Sequence, residues 1–354
     1  MNNKKSLKFL VIRRDNIGDL VCTTPVFVAL RNHFPSAEIH ALVTSYNHAV
    51  LENNPTVIDQ IVWYGKAKHQ PTLGGKITAY WRRITLLVKL RHTRFDYAII
   101  PTPCYEPRSL RLARLIGAKR VIGFGNSDQY RTKDYVIPQS VRSGHHVECT
   151  FQVLTAFGIT AQPGPVQIFP DSAALRYARE RIAAQGWSAR LLIGIHISAR
   201  KPSQRWPAEC FALLMARLRA RYPVGFLLFW SPGDTHHPAH PGDNAKAAEI
   251  MNAVAGLPVL AFPSAEVSCL IGGIACCDFM VCSDGGAMHL AAGLGKPIVC
   301  FFGKSNAQHW HPWGVPHELL QPPSQEVSDI SVEEALHAVE KVILRAVAER
   351  RISL

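Results

Sequence analysis

The 354-residue chain contains no run of about 18 uninterrupted apolar residues, so no segment reads as a membrane-spanning helix. It also lacks a secretory leader pattern. The opening MNNKKSLKFLVIRRDN has lysines and a short apolar run, but it passes straight into Arg13, Arg14 and Asp15 without a cleavage site. There is no low-complexity tract and no long internal repeat, which excludes solenoid and linker classes. The nine cysteines are an odd number, and Cys22, Cys276, Cys277, Cys282 and Cys300 lie in apolar surroundings. Buried reduced thiols of a cytoplasmic protein are the expectation, not a disulfide framework.

Negative charge is scarce. Lys and Arg number 39 against 26 Asp and Glu, a formal net charge of +13. Residues 1–160 hold 22 of the basic residues against 10 acids, so nearly all the excess sits in the first half. A basic surface steers anionic partners: nucleic acid, an anionic membrane face, or an acidic acceptor. The stretch 76–96 places Ile77, Tyr80, Trp81, Ile84, Leu87, Val88 and Leu90 at helical spacing beside Arg82, Arg83, Lys89 and Arg91. An ordinary core-facing helix with a solvated basic face and a membrane- or acceptor-facing helix both fit. Arg108, Arg111, Arg114, Lys119 and Arg120 form a second basic series. No nucleic-acid motif is present, and aromatics are not interleaved with these residues, so no nucleic-acid partner is expected.

Apolar strand candidates alternate with helices through the whole chain. In the first half, strands are expected near 8–12, 38–43, 59–63, 97–101 and 120–124, and helices near 23–33, 45–52, 76–92 and 107–117. This is the βαβ rhythm of a parallel sheet. PGPVQIFPD (163–171) reads as a linker. A second series follows: helix 172–186, strand 191–196, helix 207–221, strand 224–230, helix 243–254, strand 258–261, helix 266–276, strand 278–282, helix 287–294 and strand 297–302. The capping box Ser331 to Glu334 opens a last helix with an apolar stripe. The fold class is α/β, with two doubly wound Rossmann-like domains. They are assigned to 1–165 and 166–330, with 331–354 as a C-terminal helix for which the first domain is one packing surface.

Two strand-to-helix turns carry the chemistry. CSDGGAMHLAAGLGKPIVCFFG (282–303) is a polar turn with one acid, two glycines and His289, then an Ala-rich helix stopped by Gly-Lys-Pro, then a buried strand. Backbone N–H groups and the macrodipole at such a helix start favour a phosphate. RRDNIGD (13–19) follows the first strand, at the carboxyl end of the sheet where α/β folds bind ligands. Asp19 there is a candidate general base. It also reads as a helix cap, as does Asp15, and the sequence does not choose between these.

The chain closely resembles the heptosyltransferase family of bacterial glycosyltransferases, which transfers heptose from a nucleotide sugar onto the lipopolysaccharide inner core. The matching residues are Asn16-Ile17-Gly18-Asp19, Trp206-Pro207, Ser231-Pro232-Gly233-Asp234, and Asp284-Gly285-Gly286-Ala287-Met288-His289-Leu290-Ala291-Ala292 with Gly295-Lys296-Pro297. They cover nearly the whole chain in order. The resemblance implies the GT-B arrangement, two such domains facing across a cleft, with the acceptor on the first and the nucleotide sugar on the second.

The resemblance also implies roles. Asp19 takes the acceptor's proton as its oxygen attacks the anomeric carbon, giving inversion. Asn16, Gly18, Ser198, Lys201, Arg205, Asp234, Asp284, Gly285, Gly286 and His289 are the donor-binding set. Arg82, Arg83, Arg108 and Arg111 are the acceptor-binding set. The donor is expected to be ADP-heptose, and the acceptor an anionic lipopolysaccharide-core sugar reached at the cytoplasmic face of the inner membrane. No Asp-x-Asp pair occurs, and no metal or cofactor is expected. His236, His237, His240, His309 and His311 read as loop residues, not as ligands.

Two departures stand out. Gln204 occupies the position of the family's lysine, so Arg205 or Lys201 is the substitute cation. Gly285 stands where many relatives carry a hydroxyl. Two other readings remain at this point: another nucleotide hexose as donor for a surface glycan, and a non-catalytic basic protein that binds nucleic acid or a membrane.

Overall fold

A computed structural model describes residues 6–54, 57–65, 73–138, 144–187, 191–234 and 242–348. Two compact units divide between Val166 and Gln167.

The first unit runs β1 (Lys8–Ile12), α1 (Ile17–Val21), α2 (Thr24–His33), β2 (Glu38–Thr44), β3 (Gln60–Tyr64), α3 (Leu73–Thr93), β4 (Tyr97–Ile99), α4 (Pro107–Ile116), β5 (Arg120–Gly125), β6 (Tyr135–Pro138) and α5 (His146–Phe151). All strand pairs are parallel, in the order β3-β2-β1-β4-β5-β6. β1 is central, which is why Phe9 to Ile12 are wholly apolar and buried. The pleat sends Leu10 and Ile12 into one core with Phe95, Leu110 and Ile116. Phe9 packs its ring against Phe34, Tyr97 and Phe157.

The second unit runs α6 (Ser172–Ala183), β7 (Leu191–His196), α7 (Ala208–Arg221), β8 (Val224–Trp230), α8 (Asn244–Ala253), β9 (Val259–Pro263), α9 (Val267–Cys276), β10 (Phe279–Ser283), α10 (Gly286–Gly293), β11 (Ile298–Phe301), α11 (Ala307–Trp310), β12 (His317–Leu320) and α12 (Val332–Ala348). Its sheet order is β12-β11-β10-β7-β8-β9, again parallel throughout. Read from β9, this is the same topology as the first sheet. Each sheet therefore has one switch point, between β1 and β4 and between β7 and β10, where connections leave in opposite directions and ligands bind.

One expected element changes, and others are added or filled in. Residues 45–52 form a turn with one short 3₁₀ segment at His48–Val50, not a helix. The edge strands β6 and β12 were not anticipated. The last helix places Ala335, Leu336, Val339, Val342 and Ile343 in the second unit's core with Trp206, Phe211 and Phe301. Its apolar stripe is thus buried within the second unit. Among the described residues no helix is long and apolar enough to cross a membrane.

Candidate active site

The first switch point gathers a compact charged group. Arg13 follows β1 and is almost fully buried. Its Nη2 lies 2.9 Å from Asp19 Oδ1, and its Nε lies 3.5 Å from Asp15 Oδ2. Thr102, just past β4, donates to Asp15 Oδ2 at 3.4 Å, bridging the two strands of the switch point. Asn16 precedes α1 and donates to Asp19 Oδ2 through both its backbone N–H (3.1 Å) and its side chain (2.9 Å). Asp19 therefore does close a capping interaction, from the first turn of α1, while its other oxygen faces Arg13. Gly18 is buried, and its carbonyl accepts from Cys22 N.

His146 completes the group. This buried residue is the first of α5, and its Nε2 lies 3.3 Å from Asp19 Oδ1 and 2.8 Å from Arg13 Nη2. A guanidinium only donates. Protonated, Nε2 donates to Asp19; unprotonated, it accepts from Arg13. Burial of Asp19 works against ionisation, but the His146 hydrogen bond, the Arg13 charge and the Asn16 hydrogen bond outweigh it, holding the carboxyl well below the usual carboxylate range. Asp15 goes the other way: its burial, partly offset by Arg13 and reinforced by Asp19 and Glu106, raises it. The two neighbouring carboxyls are thus pushed in opposite directions, and Asp19 is the one whose ionised form is favoured.

The basic residues assigned to the acceptor lie on two helices of the first unit. Arg82 and Arg83 are exposed on α3, and Arg108 and Arg111 are exposed on α4, the helix that follows β4. Of these four, Arg83 reaches the ring of Tyr64.

At the second switch point, Asp284 directly follows β10 and its N–H donates to Phe301 O. Gln204 is buried, and its Nε2 donates to Asp284 Oδ2 at 2.7 Å and to Ser305 Oγ at 3.4 Å. The residue in the lysine's place thus reaches Asp284 without adding charge. Gly303 permits this packing, because a Cβ there would collide with the Ser203 carbonyl. Gly285 caps α10, whose N-terminal N–H groups start beside Asp284 at Gly286. His289 is buried in α10 and packs edge-on against Trp310, ring centroids 5.8 Å apart.

The remaining donor-set residues divide. Ser198 Oγ accepts from Ser231 N at 2.9 Å and ties the loops after β7 and β8 together. Asp234 is exposed in the second of these loops, and its carbonyl accepts from Gly242 N. Lys201 is exposed, and Arg205 turns back to donate Nε to Ala199 O at 3.0 Å. Lys246, which the sequence reading missed, sends Nζ to Trp206 O at 2.6 Å and Ile197 O at 3.3 Å. Burial, with Arg205 adding to it against the pull of Asp243, lowers Lys246 to about 8. Burial and Lys246 together lower His196 to about 4. His236, His237 and His240 lie outside the described residues. Among the described residues no group of three or more His, Cys, Asp or Glu is placed to hold a metal ion.

Residues 83–337 match the model of glycosyltransferase family 9 (heptosyltransferase). The chain belongs to that family. It is therefore a glycosyltransferase, and the non-catalytic reading is set aside.

A lipopolysaccharide heptosyltransferase 3 of Escherichia coli is 23% identical to this family 9 member over 300 residues, 84% of this chain and 83% of the relative. Among solved structures, a family 9 glycosyltransferase of Veillonella parvula is similar with TM-score 0.80 and 21% identity, over 96% of this chain and 98% of that one. The E. coli ADP-heptose lipopolysaccharide heptosyltransferase II gives 0.75 and 20%, over 96% and 99%. The E. coli heptosyltransferase WaaC solved with ADP-2-deoxy-2-fluoro heptose gives 0.70 and 16%, over 95% and 99%. These likenesses show the fold of the family 9 chain, two doubly wound α/β domains of the GT-B class.

Proposed function

We propose that this enzyme transfers heptose from ADP-heptose to an anionic sugar of the lipopolysaccharide core, with inversion at the anomeric carbon and without a metal ion. The observation that carries the reading is Asp19, a carboxylate held ionised at the switch point of the first unit. The acceptor oxygen attacks the anomeric carbon as the bond from that carbon to the diphosphate oxygen breaks. The electron pair leaves with ADP, and the hydroxyl proton passes to Asp19. An acceptor hydroxyl becomes acidic only as its new bond forms, so a weak but permanently ionised base suffices. The start of α10, Gly286 onward, favours the departing diphosphate through its N–H groups and macrodipole. Asp284, oriented by Gln204, receives a donor sugar hydroxyl. Ser198, Asp234, Lys201, Arg205 and His289 complete the donor set, and Arg82, Arg83, Arg108 and Arg111 the acceptor set.

The ADP-heptose assignment is supported by the family and by the fluorinated ADP-heptose with which the WaaC structure was solved. The excess positive charge of residues 1–160 supports an anionic acceptor and a peripheral place at the cytoplasmic face of the inner membrane. Gln204 in the lysine's position is the one observation that favours a second reading, a different nucleotide hexose. Thermal-shift titrations with ADP-heptose, UDP-hexoses and GDP-hexoses, followed by product analysis on truncated core acceptors with a chelator present, decide between them. Stabilisation by ADP-heptose alone and a product of inverted configuration are expected. A response only to UDP- or GDP-sugars, a retained configuration, or chelator-sensitive turnover contradicts the proposal.

A further inference from the structure

Arg13 and Arg14 are chain neighbours with opposite fates. Arg13 is buried between Asp15 and Asp19. Arg14 leaves β1 in the other direction and passes the end of β2 to reach Tyr64, the last residue of β3. Its Nε donates to the Tyr64 hydroxyl, and its Cζ lies 5.6 Å from the ring centroid. Arg83 arrives from α3 and sets its Cζ 5.4 Å from the same centroid. Tyr64 itself is buried and fixed in register: its backbone pairs with Thr44, and its carbonyl accepts from Ser45 N at 3.1 Å.

Two guanidiniums thus share one aromatic ring. A cation beside an aromatic ring is attracted by the ring's quadrupole. Among the described residues neither Arg14 nor Arg83 has a carboxylate partner within salt-bridge distance. Arg83 is exposed and Arg14 half-buried, so the pair remains open to solvent at the carboxyl edge of the sheet. A planar guanidinium fork receives a carboxylate or a phosphate through paired hydrogen bonds.

We propose that Arg14 and Arg83, set around Tyr64, form an oxyanion subsite that grips a carboxylate or phosphate group of the acceptor. This rests on the reading that the first unit takes the acceptor. It adds to that reading by separating a charge clamp, Arg14 and Arg83, from the proton-handling group, Arg13, Asp19 and His146. Arg14 directly follows in sequence the arginine that holds Asp19. Of the four arginines assigned to the acceptor from the sequence, it makes Arg83 the one in direct contact.

The test is a thermal-shift titration of the full chain in low-salt buffer with ADP present. The probes are glucuronate and inorganic phosphate, with glucose as the neutral blank. Wild type, Arg14→Gln/Arg83→Gln, and Arg120→Gln are compared; Arg120 is exposed at the opposite, amino end of the sheet. The expected result is an anion response in wild type and in Arg120→Gln, no glucose response, and at least a tenfold weaker anion affinity in the double variant. A stronger response to glucuronate names a carboxylate as the gripped group, and a stronger response to phosphate names a phosphate. An unchanged ADP response shows that the double variant is folded; if it is lost, Arg83→Gln alone carries the comparison under the same criteria. No anion response in wild type, or equal affinity in wild type and variant, overturns the clamp. Loss of the transfer reading leaves this readout intact, and heptose transfer by an enzyme without an anion response sinks the clamp alone.

Discussion

At the residue scale, the behaviour of Asp19 follows from three neighbours drawn from three places in the sequence. Asn16 and Arg13 are local, and His146 comes from α5. Because the folded carboxyl is held below its ordinary value of 3.8, its ionised form stabilises the fold above that value, and this contribution is lost as pH falls below it. Replacing His146 by Asn removes one of the groups that lower Asp19. The acid limb of the kcat/KM profile is therefore expected to move to higher pH, with kcat at neutral pH changed far less than in a variant lacking the carboxylate. An unmoved acid limb contradicts the role given to His146. Gln204 supplies a second residue-scale expectation. Lysine in its place would set a charge against Asp284 and beside the start of α10, so Gln204→Lys is expected to lower the KM for the sugar nucleotide; an increase would show that the neutral amide is needed there.

At the element scale, Trp206 links most parts of the second unit. Its ring packs against Phe211 and Phe301 at centroid distances of 4.8 and 4.9 Å, and its Nε1 donates to Ile330 O at 2.8 Å just before α12. Trp206→Ala is expected to cost about 3–5 kcal/mol in denaturant unfolding, the range for large aromatic truncations in cores. Trp206→Phe, which keeps most of the ring, is expected to cost clearly less; equal costs would show that the hydrogen bond, not packing, dominates. The sequence made this scale largely legible. Central strands such as FLVI and LLIGI read as strands because both faces are buried and every position is apolar. β6 and β12 escaped because edge strands are short and partly exposed, YVIP and HELL. The strand-to-helix turns that carry Asp19 and Asp284 were legible because they are local in sequence. His146, Lys246 and the Arg14–Tyr64–Arg83 cluster were not, because each depends on contacts between segments far apart in the chain, which periodicity does not report.

At the scale of the whole molecule, charge is distributed unevenly: nearly all of the +13 belongs to residues 1–160. On α3, Leu86, Leu87 and Leu90 face the core, while Trp81 and Val88 are 62% and 49% exposed on the other side, with Arg82, Lys89 and Arg91 exposed around them. An exposed tryptophan among basic residues suits the headgroup region of an anionic bilayer. Vesicles containing phosphatidylglycerol are expected to bind the protein and purely zwitterionic vesicles are not, with binding weakened as salt screens the charge. Trp81→Ala is expected to reduce the bound fraction. Equal binding to both vesicle types would separate the charge asymmetry from the membrane.

The most direct check is steady-state turnover of Asp19→Asn beside wild type, with ADP-heptose and a lipopolysaccharide-core acceptor both saturating and with ADP affinity measured in parallel. Asparagine keeps the shape of the side chain and removes its ability to hold a proton at neutral pH. Unchanged ADP affinity with kcat lower by about 10²–10⁴-fold is the expected result. Near-normal turnover in this variant would contradict the assignment of Asp19 as the base.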